Sequence, residues 1–413
     1  MQSFTKNIQY YKFCSYGFLK NLRFFDAFFI LFLVAKGMTF TQIGILYAVR
    51  EISINVFEIP SGIAADTYGR TNSLIGSFFA YIVSFLVFYF SAGFWLFFLA
   101  FVLYGIGDAF RTGTHKGIII DYLKINNWES QKISYYGHTR SWSQLGSAVS
   151  SLIAGFIVFV SGSYDKIFLY STIPYVLNLI LLFSYPPVLN RKAENNKHEK
   201  WNGFFSTTLS LFKVIRQPRV FRIVNTSAMH TAYLAVVKDY IQILMVSVAA
   251  LMPVFIAQGE EKKNGIIVGI IYFFIYIATS FASKNASKIA DKNRENVAVI
   301  TLIAGFVFGL ISGVFFYFEM WIVSLIAFLG IYLVENLRKP ILTGFVSDNV
   351  PNEILTSVIS AQSLLKSIIT AVLAFFLGLF VDHFGMGMAF IFISGFLVIS
   401  SVLIDFYRRR RFE

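Results

Sequence analysis

Of 413 residues, 56% are hydrophobic and only 14% charged, and the mean hydropathy is +0.66. These values exclude a soluble globular domain and describe a polytopic membrane protein, necessarily all-α if its spans are single hydrophobic segments. The net charge of +13 resides in Lys and Arg beside the apolar runs rather than in a basic, aromatic-interleaved surface. It therefore predicts orientation in a bilayer and no nucleic-acid partner.

Crossing the hydrocarbon core takes roughly 20 apolar residues in a helix. Twelve segments meet that length: 14–36, 41–65, 71–92, 94–123, 131–160, 164–185, 219–256, 265–288, 296–317, 320–348, 354–381 and 387–407. Residues 1–13 lack the apolar core of a removable signal, so the first span is expected to direct insertion. The single long polar stretch, 186–217, carries Arg191, Lys192, Lys197, Lys200, Lys213 and Arg216. It divides the chain into an N-terminal six-helix half (1–185), a linker (186–217) and a C-terminal six-helix half (218–413). Cations crowd the linker, the segment 284–294 and the tail 408–411, but are sparse around Lys36, Lys166 and Lys262. Both termini and the linker are therefore expected on the cytoplasmic side of the inner or plasma membrane. The seventh segment is too long for one perpendicular span and holds Lys238-Asp239-Tyr240 inside it. Either a break there, with a second at Pro253, or a long tilted helix would accommodate it.

The turn between the second and third spans reads Glu58-Ile-Pro-Ser-Gly-Ile-Ala-Ala-Asp-Thr-Tyr-Gly-Arg70. Gly62 can let two helices approach, Asp66 can cap or pair, and Gly69 can take a positive φ beside Arg70. Gly62, Ala65, Asp66, Gly69 and Arg70 resemble the signature loop of the major facilitator superfamily, Gly-x-Leu-Ala-Asp-Arg-x-Gly-Arg-Arg. Ala64, Thr67 and Thr71 depart from it, leaving Arg70 as the loop's one cation. The Glu58-Ile59-Pro60 step is similar to a branch of that family rich in exporters. The resemblance implies twelve helices in two pseudo-symmetric halves, with spans 1, 4, 7 and 10 lining a central cavity. A degenerate copy of the loop, including Asp291, follows span eight.

Sliding the halves by 227 positions superposes Asp108 on Glu335, Arg111 on Arg338 and Asp121 on Asp348, as parallel repeats would. Ionisable groups at membrane depth cost about 2.5–3.5 kcal/mol each, so their retention marks candidate function. Arg23 and Asp26 fall three apart on one face of the first helix, Arg50 and Glu51 inside span two, and Lys238 and Asp239 inside span seven. Helical spacing places Asp108, Arg111 and His115 on one stripe of span four, with Glu335 and Arg338 as the partner stripe in span ten. Direct contact with substrate or protons competes evenly with buried ion pairs that satisfy one another. Asp121 and Asp348 are expected to make gate ion pairs, with Arg140 or Lys366 as partners. His115, His138 and His230 are more ordinary as satisfied interior histidines than as proton carriers. In span five, Gly137, Gly146, Ser150, Ser151 and Gly155 partly resemble the antiporter motif of drug exporters. Without the Gly-Pro kink of that motif, helix packing is the favoured reading.

One cysteine, Cys14, excludes an internal disulfide; five scattered histidines show no metal-ligand spacing, and no phosphate-binding Gly-rich loop or nucleophile elbow occurs. No cofactor, no metal and no enzymatic activity are expected. The resulting expectation is a monomeric secondary transporter of a small zwitterionic or anionic molecule in the lipid bilayer, driven by protons, with Asp108, Glu335 and Asp26 as candidate proton acceptors in that order. Export by exchange comes first, proton-coupled uptake second, and a transport-dead sensor or scaffold third.

Overall fold

The computed structural model describes residues 5–190, 218–252, 259–290, 294–349 and 352–412, apart from the side chains of some helical residues in those ranges. All regular structure among them is helical. Twelve passages can be followed. The first is broken into α1 (Ile8–Lys20), a 3-10 turn (Phe24–Ala27) and α2 (Phe29–Ala35). Then come α3 (Phe40–Tyr68), α4 (Arg70–Phe90), α5 (Phe94–Arg111) with α6 (Thr114–Ile125), α7 (Lys132–Ser161) and α8 (Lys166–Phe183). After the linker follow α9 (Pro218–Val237) with α10 (Ile241–Ala250), α11 (Glu260–Ala290), α12 (Arg294–Tyr317), α13 (Trp321–Asn349) and α14 (Asn352–Phe412). A non-helical residue, Gly385 at φ +78°, divides α14 into the last two passages. By length and hydropathy alone, eight helices among the described residues qualify as spans, and nine if α9 and α10 count together. The first passage and α3 fall short because the one is broken and the other carries Arg50, Glu51 and Glu58.

Three breaks matter for the site. The residues 238–240 interrupt the seventh passage with a bend of 43°, which decides for a broken helix over a tilted one. Pro253 lies outside the described residues. The fourth passage breaks at Thr112–Gly113, where Gly113 takes φ +78°. The first breaks before Arg23, so the expectation that Arg23 and Asp26 share a continuous helical face is corrected: Asp26 sits in the 3-10 turn. Each break exposes backbone groups that a helix would have satisfied, and breaks at membrane depth are tolerated where they face a cavity or protein rather than lipid.

The chain forms two compact units. Unit 1 comprises Met1–Lys36, Val49–Lys200 and Val254–Tyr276; unit 2 comprises Gly37–Ala48, Trp201–Pro253 and Ile277–Glu413. In unit 1, α4 packs on α5 and α8, and α1 on α7. Its core is aromatic: Phe25, Phe29, Phe32, Phe85, Phe88 and Phe168 are buried and meet as stacked, tilted or edge-to-face rings. Glycines bring the first part of α11 against α7, since a Cβ on Gly155 would lie 2.7 Å from the Gly265 carbonyl and one on Gly269 would lie 3.0 Å from the Gly155 Cα. In unit 2, α12 packs on α13 and α14, and α9 on α14. The start of α3 belongs here because Asp382 accepts hydrogen bonds from the Phe40 and Thr41 amides, at 2.9 and 2.7 Å. A carboxylate at those N-terminal donors supplies a cap from a segment more than 300 residues away in sequence, and sequence periodicity gives no sign of it.

Candidate functional site

In unit 1 the ionisable residues assemble through tyrosines. Arg111 donates through Nη2 to Asp108 Oδ1 at 2.8 Å and through Nε to the Tyr81 hydroxyl at 2.8 Å, and that hydroxyl donates to Asp108 Oδ1 at 2.6 Å. Arg23 pairs with Asp26 at 3.1 Å and donates to the Tyr104 hydroxyl at 3.0 Å. Arg50 pairs with Glu51 at 3.1 Å and lies 5.8 Å from the Tyr104 ring centroid. Three arginines thus balance three carboxylates; Tyr104 lies between Arg23 and Arg50, and its ring meets that of Tyr81 edge-to-face at 5.1 Å, joining the Asp108–Arg111 pair to the other two. Breaking one such pair leaves a charge stranded, which typically costs about 3–5 kcal/mol in a buried setting. Sequence reasoning found all six charged members and missed both tyrosines. Their only signal was a hydroxyl-bearing ring at mid-helix in otherwise apolar segments, a position also compatible with plain packing.

His115 does not continue the Asp108–Arg111 stripe, because the chain breaks at Thr112–Gly113 before α6 begins. It stacks on Tyr16, with centroids 3.6 Å apart and planes at 10°, and its Nε2 lies 3.2 Å from the Tyr185 hydroxyl. Even so, Arg111 and His115 face one polar cavity of about 370 Å³. Lys20, Lys116 and Arg140 line it as well. Lys20 was not foreseen, although a lysine three residues before Arg23 within a span carries the same signal as Arg23 itself.

Unit 2 treats the repeat residues differently. Glu335 Oε2 lies 2.7 Å from His230 Nδ1, and Glu335 Oε1 accepts from Thr231 at 2.8 Å. Arg338, fully buried, donates to the Ala298 carbonyl, to Thr301 Oγ1 at 2.8 Å and to the Thr226 carbonyl at 2.8 Å. The expectation that Glu335 and Arg338 satisfy each other as Asp108 and Arg111 do is therefore corrected: sequence equivalence has not preserved the pairing. Asp239, at the break between α9 and α10, accepts from the Tyr47 hydroxyl at 2.7 Å and lies 3.9 Å from Lys238 Nζ. The Lys238 carbonyl accepts from Tyr332 at 2.7 Å.

The signature loop becomes a one-residue break. Gly69 has φ +97°, as its position in the motif predicts, and α4 starts at Arg70. Arg70 pairs with Asp121 at 2.7 Å, so the partner found for Asp121 is the loop cation. Asn190 Oδ1 accepts from the amides of Thr71 and Asn72 at 3.1 and 3.3 Å, capping α4. Among the described residues nothing lies within 4 Å of a Cβ built on Gly62, so no close helix approach is found there. Asp66 is half-buried in the last turn of α3. The side chain of Asp348, and Asp291 with the rest of the degenerate second loop, lie outside the described residues. In span five the packing reading holds for Gly146 and Gly155, where a Cβ would approach the Phe18 carbonyl to 2.5 Å and the Gly265 carbonyl to 2.7 Å, but not for Gly137, which has open space.

Apolar helices with broken passages, ionisable groups held at membrane depth and a polar cavity define the class: a multi-pass membrane transporter. The Major Facilitator Superfamily model matches residues 16–374, and the chain belongs to that superfamily. A curated relative, the uncharacterized MFS-type transporter YxaM of Bacillus subtilis (strain 168), is 36% identical over 104 residues. That match spans about a quarter of each protein, 25% of this chain and 26% of the relative. Solved structures share the fold across nearly the whole length. A variant of the nucleoside transporter NupG aligns with TM-score 0.76 at 14% identity, covering 96% of this chain and 98% of that one. A variant of the peptide transporter POT in complex with sulfate aligns with TM-score 0.73 at 12% identity, covering 97% and 94%. A D-xylose-proton symporter aligns with TM-score 0.69 at 14% identity, covering 96% of each.

Proposed function

We propose that the protein is a secondary active transporter that moves a small zwitterionic or anionic polar molecule by alternating access, with proton movement as the driving force. The observation that carries this reading is the charge-balanced network of Arg23, Asp26, Arg50, Glu51, Asp108 and Arg111, tied by Tyr81 and Tyr104 at membrane depth. Such a network is costly unless its pairings change during the work, and neutralising one carboxylate frees its arginine for a substrate anion. Asp108 is the first candidate because its single oxygen Oδ1 receives both Tyr81 and Arg111, so one protonation loosens two contacts. Glu335, held by His230 and Thr231, and Asp26 follow. Lys238 and Asp239 at the bend in span seven belong to the same set, and Asp121 with Arg70 forms a cytoplasmic latch.

In this reading the halves 1–185 and 218–413 rock about the site, the linker 186–217 and both termini face the cytoplasm, and the protein resides in the cell membrane as a monomer. The direction favoured is export in exchange for protons; uptake with protons uses the same groups. Proteoliposomes with an imposed pH gradient and a panel of zwitterionic and anionic metabolites test it. Substrate-dependent proton flux is expected in the wild type and a fall of at least tenfold in Asp108→Asn or Glu335→Gln. The sign of the flux separates export from uptake. Wild-type behaviour in both variants would show the carboxylates to be structural and sink the coupling assignment.

A further inference from the structure

The charge balance of the network ends at Arg111, where the cavity of about 370 Å³ begins. Its cationic lining consists of Lys20 at the end of α1, Arg111 at the end of α5, Lys116 in α6 and Arg140 in α7, and among the described residues no Asp or Glu lines it. Arg111 is matched by Asp108 at 2.8 Å, but Lys20, Lys116 and Arg140 make no ion pair among the described residues. Lys116 rests on the Tyr136 ring, 5.5 Å from its centroid, an interaction that leaves its charge uncompensated. The buried Tyr16 hydroxyl has no hydrogen-bond partner among the described residues, and Tyr16 is a wall residue too. Gly113, at the N-terminus of α6, lines the cavity, and among the described residues no side chain caps the α6 amides, so the positive end of that helix adds to the same field.

The walls are close-packed. A Cβ on Gly17 would approach Ser143 Oγ to 2.6 Å and the Thr139 carbonyl to 3.2 Å, and one on Gly146 would approach the Phe18 carbonyl to 2.5 Å, so α1 and α7 pack at close range and fix that side of the cavity. Its volume suits a small metabolite. Lys116 and Arg140 without an ion pair among the described residues, Arg111 shared with Asp108, the buried amine of Lys20 and an uncapped helix end together exceed what one carboxylate neutralises. A phosphomonoester carries about −1.5 to −2 charges at neutral pH and three strong acceptor oxygens, which fit a planar guanidinium fork together with lysine point charges.

We propose that this cavity binds a phosphomonoester dianion, and that a small soluble phosphomonoester is what the protein carries; the second clause rests on the transporter reading above. Under the proposed topology the cavity lies in the cytoplasmic half of the membrane, where it would load such a molecule from inside the cell. The same head group occurs on phosphatidic acid, so the test separates the two sources.

Calorimetric titration of the full chain in phosphatidylcholine nanodiscs, with glycerol 3-phosphate, inorganic phosphate, succinate and glycerol as probes, tests the assignment. Glycerol 3-phosphate is expected to bind at least tenfold more tightly than succinate, and glycerol not at all. Arg140→Gln and Lys116→Gln, at positions on the open cavity wall, are each expected to weaken binding at least tenfold with unchanged melting temperature, and Lys20→Arg to stay within threefold of wild type. If nanodiscs containing phosphatidic acid abolish the soluble signal in the wild type alone, the head-group chemistry holds and the lipid shares the site. Equal binding of glycerol, or wild-type affinity in both Gln variants, overturns the proposal. Flux of a zwitterionic metabolite without phosphomonoester binding would overturn it while leaving the transporter reading intact. Binding without flux of any metabolite would keep the binding clause and overturn both the carriage clause and the transporter reading.

Discussion

The side-chain contacts around His230 show how one buried residue can hold several others. Its Nδ1 meets Glu335, and a Cβ on Gly305 would collide with its Nε2, so His230 fills the space between α9, α12 and α13 completely. Gly305→Ala is expected to lower stability by about 1–3 kcal/mol through overpacking. The loss should shrink in a His230→Ala background, because the colliding ring is gone; a double-mutant cycle on thermal melts in detergent measures the difference. His230→Leu removes a partner from a carboxylate that is itself buried, and about 3 kcal/mol of destabilisation is expected. Substituting Glu335 by Gln in the same chain should recover part of that, since the stranded charge is removed, and the comparison distinguishes an electrostatic cost from a packing one. The sequence placed Glu335, Arg338 and His230 at membrane depth, but not their partners. Periodicity reports which side chains share a helix face, whereas Glu335–His230 and Arg338–Thr226 are contacts between helices 105 and 112 residues apart.

Helix ends form the next level. Asn190 reaches the first amides of α4, and a Cβ on Gly69 would collide with its side chain, so the Gly69 break and the Asn190 cap fit one another. Asn190→Ala is expected to cost about 1 kcal/mol, as loss of a helix cap does, read as a lower melting temperature. The Arg70–Asp121 pair is partly exposed, with side chains 35% and 28% accessible, so Asp121→Asn should change stability by no more than about 1 kcal/mol. If the pair is a latch, that variant should nonetheless alter transport rate, and a flux assay on a variant of unchanged stability checks it. The signature loop was legible because a positive φ beside a motif glycine is a local backbone property. The break at Gly113 was not, because a lone glycine in an apolar helix is as compatible with packing as with a kink.

For the whole molecule, membrane orientation can be tested directly. Cys14 is the chain's single cysteine and is buried, so Cys14→Ala provides a cysteine-free background. In it, Lys192→Cys should react with an impermeant maleimide only in inside-out vesicles, and Ser163→Cys only in right-side-out cells; the opposite pattern would reverse the proposed topology. The sequence by itself determined the membrane class, the twelve apolar passages and the superfamily, because burial in lipid imposes a composition and a length that need no tertiary context. It also picked out the six charged residues of the ion-pair network, because each is expensive where it stands, though it passed over Lys20. Only the tertiary structure decided who meets whom: that Tyr81 and Tyr104 bring three ion pairs together, that Glu335 and Arg338 take separate partners while their repeat equivalents pair, and that Lys20, Lys116 and Arg140 converge on one cavity with no acid among its described lining residues. The physical reason is that a linear pattern fixes which face of a helix a side chain occupies, while its charge is balanced by residues on other helices brought near only by breaks, glycine contacts and packing.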